Sequence, residues 1–326
     1  MSSVGYEFIE LIIQHGSEIF QPIVTGDIQW QTARKDTHGS LAFSVVKDEV
    51  LDFTEGDAVR LVVDGVKVFY GFVFQKKRNK DGIISVTAYD QLRYLKNKDT
   101  YVYANKTASE VIKMIASDFR LQCGTLEDTE YKIESRVEDN QTLFDIIQNA
   151  LDETLLHKGE MYVLFDDFGK ITLKNVKNMK AGIIIDEETG ENFDYTSSID
   201  GETYNKIKLV YENEEAGARE ITIAQDSSNI NQWGVLQYFE KIDEKTNGKA
   251  KAESLLKIYN SKTRNLSIKG VFGDLGVRAG TLVAVSLNLG DIITNSFLLV
   301  EQAKHTFSES MHTMDLTLRG GGFVVV

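Results

Sequence analysis

The sequence is poor in the two residues that most restrict a chain's conformation, cysteine and proline. Among 326 residues there is one cysteine, Cys123, and one proline, Pro22. A single thiol excludes an intramolecular disulfide and a zinc site built from several cysteines. We therefore expect cytoplasmic synthesis, a buried structural thiol at Cys123, and turns supplied mainly by the 25 glycines.

Positive charge is also in short supply. The chain has 36 Lys and Arg residues against 49 Asp and Glu residues, which gives a net charge of −13. Proteins that grip nucleic acid need clustered basic side chains to neutralise phosphates. We predict no sequence-specific nucleic acid partner, although an acidic wall could repel DNA that merely passes by.

Long apolar runs are absent. No stretch approaches the ~20 apolar residues that span a bilayer. The first residues, from Met1 to Tyr6, lack the basic region and apolar core of a secretory signal. The sequence predicts a soluble protein with no direct membrane insertion.

Motifs for metal or cofactor chemistry are missing as well. The histidines show no HExxH-like spacing, and no nucleophile elbow, phosphate-binding loop or dinucleotide fingerprint is present. His305 and His312 could face each other across a hairpin and form a two-histidine ligand pair, but the sequence offers no third ligand beside them. We predict no catalytic, cofactor-binding or metal-binding residue.

Adjacent carboxylates are the remaining candidates for catalysis. Asp166-Asp167 and Glu187-Glu188 could in principle serve a glycosidase, which needs two carboxyl groups flanking the scissile bond. Neighbouring residues on a strand point to opposite faces, and both pairs lie near a glycine in predicted turns. Solvated turn charge is the favoured interpretation, and a cell-wall hydrolase is the alternative. A carbohydrate-binding adhesin has less support, because Trp30 and Trp233 are too few and too scattered.

The first hundred residues have the pattern of short strands. Apolar and β-branched residues alternate with polar ones, and turns such as Asp64-Gly65 separate the runs. The predicted strands cover residues 6–13, 26–32, 40–46, 58–63, 66–75 and 83–89. Many short strands without intervening helices indicate a barrel or a sandwich.

The pattern changes after Tyr103. A capping box at residues 107–110 opens a predicted helix, and a second helix covers residues 142–156 with Gly159 placed to end it. A hairpin of residues 161–165 and 171–173 follows, so this part reads as an α+β insertion. Strands return from residue 183, interrupted by a predicted helix over residues 248–261.

The two β regions echo each other. A glycine followed by an alternating strand occurs at residues 56–62 and again at 280–286, and two further strands follow in the same order each time. Any two β meanders share such features, so a chance likeness and a duplicated module both remain open. A duplicated module would matter for symmetry, because a trimer of such chains presents six similar units in a ring.

Three stretches resemble a known family, namely residues 87–99 with 106–108, residues 224–237 and residues 312–321. They are similar to the XkdQ-type tail proteins of Gram-positive prophages and phage-tail-like bacteriocins. The resemblance implies the hub of a contractile-tail baseplate, with two tube-like β-barrel modules and smaller inserted domains. It also implies a homotrimer that adapts the sixfold tail tube to the threefold spike within the tail particle.

The resemblance implies partners and divisions of the chain as well. The expected partners are other copies of the chain, the tail tube protein, the spike protein and other baseplate and tape-measure proteins. The expected domains are a first barrel over residues 1–102, an α+β domain over 103–178 and a second barrel over 179–326. We predict an interface at the chain's end, where an apolar tail either packs on the protein itself or pairs with a neighbour: Arg319, Gly320, Gly321, Gly322 and Phe323.

Overall fold

The computed structural model describes residues 6–213, 218–244, 246–290, 292–309 and 311–319. Strands predominate over helices, which confirms the mainly β class with an α+β insertion. The strands are β1 (Ile9–His15), β2 (Glu18–Phe20), β3 (Ile28–Ala33), β4 (Ser40–Val46), β5 (Ala58–Val63), β6 (Val66–Arg78), β7 (Ile83–Tyr89), β8 (Lys98–Lys106), β9 (Cys123–Leu126), β10 (Ile133–Thr142), β11 (Tyr162–Asp166), β12 (Ile171–Asn175), β13 (Lys180–Ile185), β14 (Asn192–Ser198), β15 (Lys206–Asn213), β16 (Ala218–Gln225), β17 (Gln237–Lys241), β18 (Thr263–Phe272), β19 (Leu282–Asn288), β20 (Ile293–Ser308) and β21 (Met311–Arg319). The helices are α1 (Ala108–Asp118), α2 (Leu143–Lys158), α3 (Ser227–Trp233) and α4 (Gly248–Tyr259).

The first module is a sheet with the spatial order β3-β4-β7-β6-β5-β1-β2. Strands β4 and β5 alternate buried and half-buried residues, so one face of the sheet closes over an apolar core that includes Trp30, Leu41 and Phe43. The predicted turn between β5 and β6 is confirmed. Asp64 and Gly65 have φ values of 49° and 77°, the positive pair that a two-residue hairpin turn requires.

The second module has the order β14-β18-β21-β20, with β19 also paired to β20 and β13 paired to β19. It joins the first module edge to edge, because residues 302–307 of β20 pair antiparallel with β3. The Arg34 guanidinium donates two hydrogen bonds, of 2.8 and 2.9 Å, to the Glu301 carboxylate at this joint. The two expected β-barrel modules are therefore two parts of one 13-stranded sheet, and the described strands form no closed barrel.

The modules repeat the same strand order. In each, the strand after a loop glycine (β5 or β19) pairs with a long strand (β6 or β20), which pairs with the next strand along the chain (β7 or β21). The order β3-β4-β7-β6-β5-β1 of the first module matches β14-β18-β21-β20-β19-β13 of the second. The repeat diverges at its far end, where β1 is antiparallel to β5 but β13 is parallel to β19.

Backbone contacts repeat with the strand order. Gly56 and Gly280 have φ values of 94° and 93°, and their N–H groups donate to the carbonyls of Val73 and Val300, both at 2.8 Å. Glycine adopts positive φ without the steric cost that a side chain adds, which explains why both loops use it. The echo noticed in the sequence is therefore a structural repeat.

Side chains hold the two loops in equivalent ways. In the first loop Asp57 Oδ2 accepts from the Thr54 N–H at 2.6 Å, and in the second Thr281 Oγ1 accepts from the Arg278 N–H at 3.2 Å. The residue before each of these amides also offers its carbonyl to a side chain of the long strand. Lys76 Nζ donates to the Phe53 carbonyl. His305 Nε2 donates to the Val277 carbonyl at 2.9 Å.

The α+β part lies between the two modules in the chain. Both predicted helix starts are confirmed, with Thr107 and Thr142 as N-caps of α1 and α2 in capping boxes, and Gly159 ends α2 in a left-handed conformation. These helices pack with the β8–β10 pair and the β9–β12–β11 sheet around a core of their own. Sequence patterns had not revealed β8, β9 or β10.

The described chain divides into two compact units. Among the described residues, one unit contains those from Tyr6 to Asp194 together with Ser267–Leu318, and the other contains those of Tyr195–Leu266 and Arg319. In the second unit β15 lies between β16 and β17, and α4 packs over this sheet. The three-domain boundaries at residues 102 and 178 stay a prediction.

The repeat provides a matched pair of substitutions. Alanine at Gly56 would meet open space, so Gly56→Ala should cost only the roughly 1–2 kcal/mol of a side chain at positive φ. At Gly280 a Cβ would lie 2.7 Å from Val163 Cγ1, which adds about 1–3 kcal/mol of overpacking. Urea unfolding should therefore rank Gly280→Ala below Gly56→Ala in free energy of unfolding. Equal losses would contradict this account.

Candidate functional site

The most unusual group of side chains is a buried charge cluster, which we define as Asp90, Gln91, Asp166 and Arg278. Asp90 follows β7 of the first module. Its Oδ2 accepts from the Gly39 N–H at 2.8 Å, and its Oδ1 accepts from the Leu92 N–H at 3.0 Å, which caps a short 3₁₀ turn. Both carboxyl oxygens are thereby committed to backbone donors of the protein itself.

Asp166 ends β11 of the α+β part, and its carboxylate is also enclosed. Oδ1 accepts from the Gly169 N–H at 2.6 Å, and Oδ2 accepts from Gln91 Nε2 at 3.0 Å. The predicted solvated turn charge is wrong for Asp166, which is 6% exposed, because Gln91 reaches it from a distant part of the chain. Asp167 is exposed, as are Glu187 and Glu188, in line with the prediction for those three.

Arg278 enters the cluster from the second module. Its Nη2 donates to the Asp166 carbonyl at 2.8 Å, and its guanidinium lies 4.2 Å from the centre of the Phe165 ring. Its Nε is buried without a hydrogen-bond partner. The cluster thus connects the first module, the α+β part and the second module, which sequence spacing gave no means to foresee.

Burial shifts the protonation of the cluster. Burial and the Asp166 carboxylate together raise the pKa of Asp90 well above its usual value, and burial raises the pKa of Asp166. Burial likewise lowers the pKa of Arg278, against the attraction of Asp166 and Asp90. Shifted carboxyl groups are often catalytic, but here their oxygens are occupied by protein donors. The hydrogen bonds and charges of the cluster are directed at other parts of the protein, so they hold the two modules and the α+β part together.

His305 and His312 meet across the β20–β21 hairpin, so the predicted facing is confirmed. His305 Nδ1 and His312 Nε2 are 2.8 Å apart. Because a carbonyl can only accept, His305 Nε2 carries the proton given to Val277, so Nδ1 accepts from His312. Burial lowers the pKa of His305 to about 3 and that of His312 to about 4. Both rings are therefore neutral near pH 7.

The described surroundings of the histidine pair do not form a metal site. Among the described residues, no group of three His, Cys, Asp or Glu side chains is arranged to hold a metal ion. His305 instead stacks on Trp30, with ring centres 4.6 Å apart. The described part of the chain also contains no helix long and apolar enough to cross a bilayer.

Other predicted residues have mixed outcomes. The prediction of a buried thiol at Cys123 is wrong, because Cys123 is exposed on β9, a short strand at the edge of its sheet next to β12. In the predicted interface, Arg319 ends β21 with its Nη2 3.6 Å from Glu202 Oε2. Gly320, Gly321, Gly322, Phe323 and the rest of the apolar tail lie outside the described residues, so that interface stays a prediction.

Solved structures define the class of fold. The chain is similar to a 43 kDa tail protein of prophage MuSo2 from Shewanella oneidensis, with a TM-score of 0.69, 15% identity and coverage of 95% of this chain and 98% of that one. It is also similar to prophage tail protein gp18 of Listeria monocytogenes, with a TM-score of 0.60, 13% identity and coverage of 97% and 96%. The fold is that of prophage tail proteins.

The family follows from sequence. A family model described as YqbQ-like matches residues 28–319, and the chain belongs to that family. It is 29% identical to the Bacillus subtilis protein YqbQ over 94% of this chain and 95% of that protein. It is 30% identical to XkdQ of the phage-like element PBSX, also from Bacillus subtilis, over 81% of each. The XkdQ-type resemblance seen in the sequence is confirmed.

Proposed function

We propose that the chain is the structural hub of a contractile phage-type baseplate, where three copies adapt a sixfold tail tube to a threefold spike. The observation that carries this proposal is the internal repeat. Two modules of equal strand order stand side by side in one sheet, joined through β3 and β20. Three copies of such a chain supply six similar modules, which is the number a sixfold ring requires.

The relatives support the tail context. XkdQ is named as a protein of a phage-like element, and the two solved structures are named as prophage tail proteins. The proposed partners are therefore a second and third copy of the chain, the tail tube protein, the spike protein and neighbouring baseplate and tape-measure proteins. The proposed location is the tail particle, after synthesis in the host cytoplasm.

We propose a structural role rather than catalysis. The carboxylates with raised pKa values, Asp90 and Asp166, are buried and bind donors of the protein itself. The acid and base of a hydrolase must reach the proton that they transfer. Turnover of purified peptidoglycan, abolished by a single Asp or Glu substitution, would be needed to support the cell-wall hydrolase alternative.

A reconstruction of the tail particle by electron cryo-microscopy tests the proposal. We expect density for three copies of this chain between the last ring of the tube and the spike, with the two modules of each copy at alternating positions of a six-membered ring. Density for the chain elsewhere, or six copies in that ring, would overturn the proposed hub.

A further inference from the structure

Strands that occupy equivalent positions in the two modules differ in how many pairing partners they have. By strand order β14 is the counterpart of β3, and β6 is the counterpart of β20. Inside the chain, β3 pairs with residues 302–307 of β20. The counterpart β14 is the last strand of the 13-stranded sheet, and β18 is its one partner among the described strands.

The matching half of β6 is open in the same way. β6 pairs with β5 from Val66 to Phe72 and with β7 from Phe72 to Arg78. In β20, the corresponding second half has β21 on one side and β3 on the other. Residues 75–78 of β6 have β7 on one side, and no third strand of the described chain pairs with them.

Burial shows the same difference. β3 alternates between buried and accessible residues, and so does the second half of β20, where Ala303, His305 and Phe307 are buried. β14 contains no buried residue, and its Phe193 is 40% exposed. Residues 75–78 of β6 are likewise exposed or half-buried. β3 and the second half of β20, which pair with each other, bury alternate side chains, whereas β14 and residues 75–78 of β6 do not.

The charges near β14 and near the end of β6 indicate which strand could pair with each of them. Residues 186–194, which lead into β14 and form its first three positions, contain five acidic side chains and no basic one: Asp186, Glu187, Glu188, Glu191 and Asp194. Residues 76–80, at the end of β6, contain four basic side chains and no acidic one: Lys76, Lys77, Arg78 and Lys80. Like charges oppose pairing of either edge with itself, and opposite charges favour pairing of one with the other.

We propose that β14 of one copy pairs with residues 75–78 of β6 in a second copy, repeating between chains the β3–β20 joint found within each chain. The partner is thus another copy of this chain, joined by main-chain hydrogen bonds and by contacts between the acidic and basic segments. Three such joints would close the six-module ring, so that this inference rests on the proposed hub.

Disulfide trapping tests the strand pairing directly. In a Cys123→Ser background, Lys77→Cys is combined in turn with Asn192→Cys, Phe193→Cys and Asp194→Cys, and tail particles from a producing strain that lacks its own copy are oxidised mildly. At least one pair should link copies into dimers and trimers on a denaturing gel. The control pair is Lys77→Cys with Val102→Cys, which is exposed on β8. Linkage no greater than the control for all three pairs would overturn the inference.

Charge reversal tests the electrostatic part. Lys77→Glu with Arg78→Glu should reduce the yield of assembled tails at least tenfold, and adding Glu187→Lys with Glu188→Lys should restore most of it. The control, Lys113→Glu with Lys132→Glu, changes the net charge equally at exposed sites of the α+β part and should leave the yield unchanged. A first variant that assembles like the control would overturn the electrostatic account.

The two proposals fail in different ways. If the hub proposal is wrong, the unaltered chain is missing from the junction of tube and spike. If only the strand pairing is wrong, the unaltered chain is present there in three copies, while the cysteine pairs and charge reversals behave like their controls.

Discussion

Replacing Arg278 with methionine is expected to lower the free energy of unfolding by about 3–5 kcal/mol, the usual cost of leaving buried charges without their partner. Methionine fills similar space against Phe165 but cannot offset the carboxyl groups of Asp90 and Asp166 or donate to the Asp166 carbonyl. Urea unfolding at pH 8 measures the loss.

Acid provides a second measure of the same substitution. The carboxyl groups of Asp90 and Asp166 have raised pKa values, so they take up protons in the folded state above the pH at which they would do so unfolded. Proton uptake removes the uncompensated charge, and the cost of Arg278→Met should therefore shrink from pH 8 to pH 4.5. Arg120→Met, at an exposed position, is the control and should cost less than about 0.5 kcal/mol at both values. If Arg278→Met and Arg120→Met lowered the free energy of unfolding equally, the cluster would not stabilise the contact between the modules.

The buried histidine pair is expected to make the protein lose stability as the pH falls from about 6.5 towards 4. His305 and His312 have folded pKa values of about 3 and about 4, below the ordinary value of roughly 6.5. Between these limits the unfolded chain binds more protons, so the pair's contribution is fully present above pH 6.5 and is lost on acidification. At roughly 1.4 kcal/mol per pH unit for each ring, the two together should remove about 4–5 kcal/mol by pH 4.5.

Comparison with a double variant isolates this effect. His305→Gln with His312→Gln is expected to be less stable than the unaltered chain at pH 8, yet to lose much less on going to pH 4.5. Asp90 contributes a pH dependence of the opposite sign, because its raised pKa favours the folded state at low pH. This contribution is the same in the unaltered chain and in the double variant. Met314→Leu is the control, a buried change without a titrating group that should lower stability equally at every pH. A double variant with an unchanged pH dependence would contradict the assignment.

Strands with regular alternation were predictable to the residue. Residues 40–46, 58–63 and 83–89 were predicted and observed with the same limits, because each is a short run rich in apolar and β-branched residues between clear turns. The helix starts at Thr107 and Thr142 were predictable because a capping box is local and involves residues three apart.

Strands with weak apolar alternation were missed. β10 runs through Glu, Arg, Asp and Asn side chains, most of them accessible, and its partner β8 is also largely exposed. These two strands are fixed by pairing with each other, and that information lies in no short window of sequence. The short helix α3 was missed for a related reason, since Ser and Asn are poor helix formers and the helix has no buried apolar face.

The distance along the chain between contacting residues decides which contacts of the candidate site a sequence can predict. His305 and His312 lie seven residues apart across one hairpin, so their meeting could be inferred. Asp166 depends on Gln91, which is 75 positions away, and on Arg278, which is 112 positions away. A turn aspartate looks solvated until such distant partners are known, and Cys123 looked buried because an apolar helix precedes it.

The two loop glycines share backbone geometry but not the side chain that holds the neighbouring carbonyl. One carbonyl is held by the Lys76 ammonium and the other by the uncharged His305 imidazole. In the proposed ring this would divide six geometrically similar positions into two alternating sets of three, of which one set resists acid and the other yields to it. The ring would then have threefold and not sixfold symmetry in its response to acid, even without a bound spike.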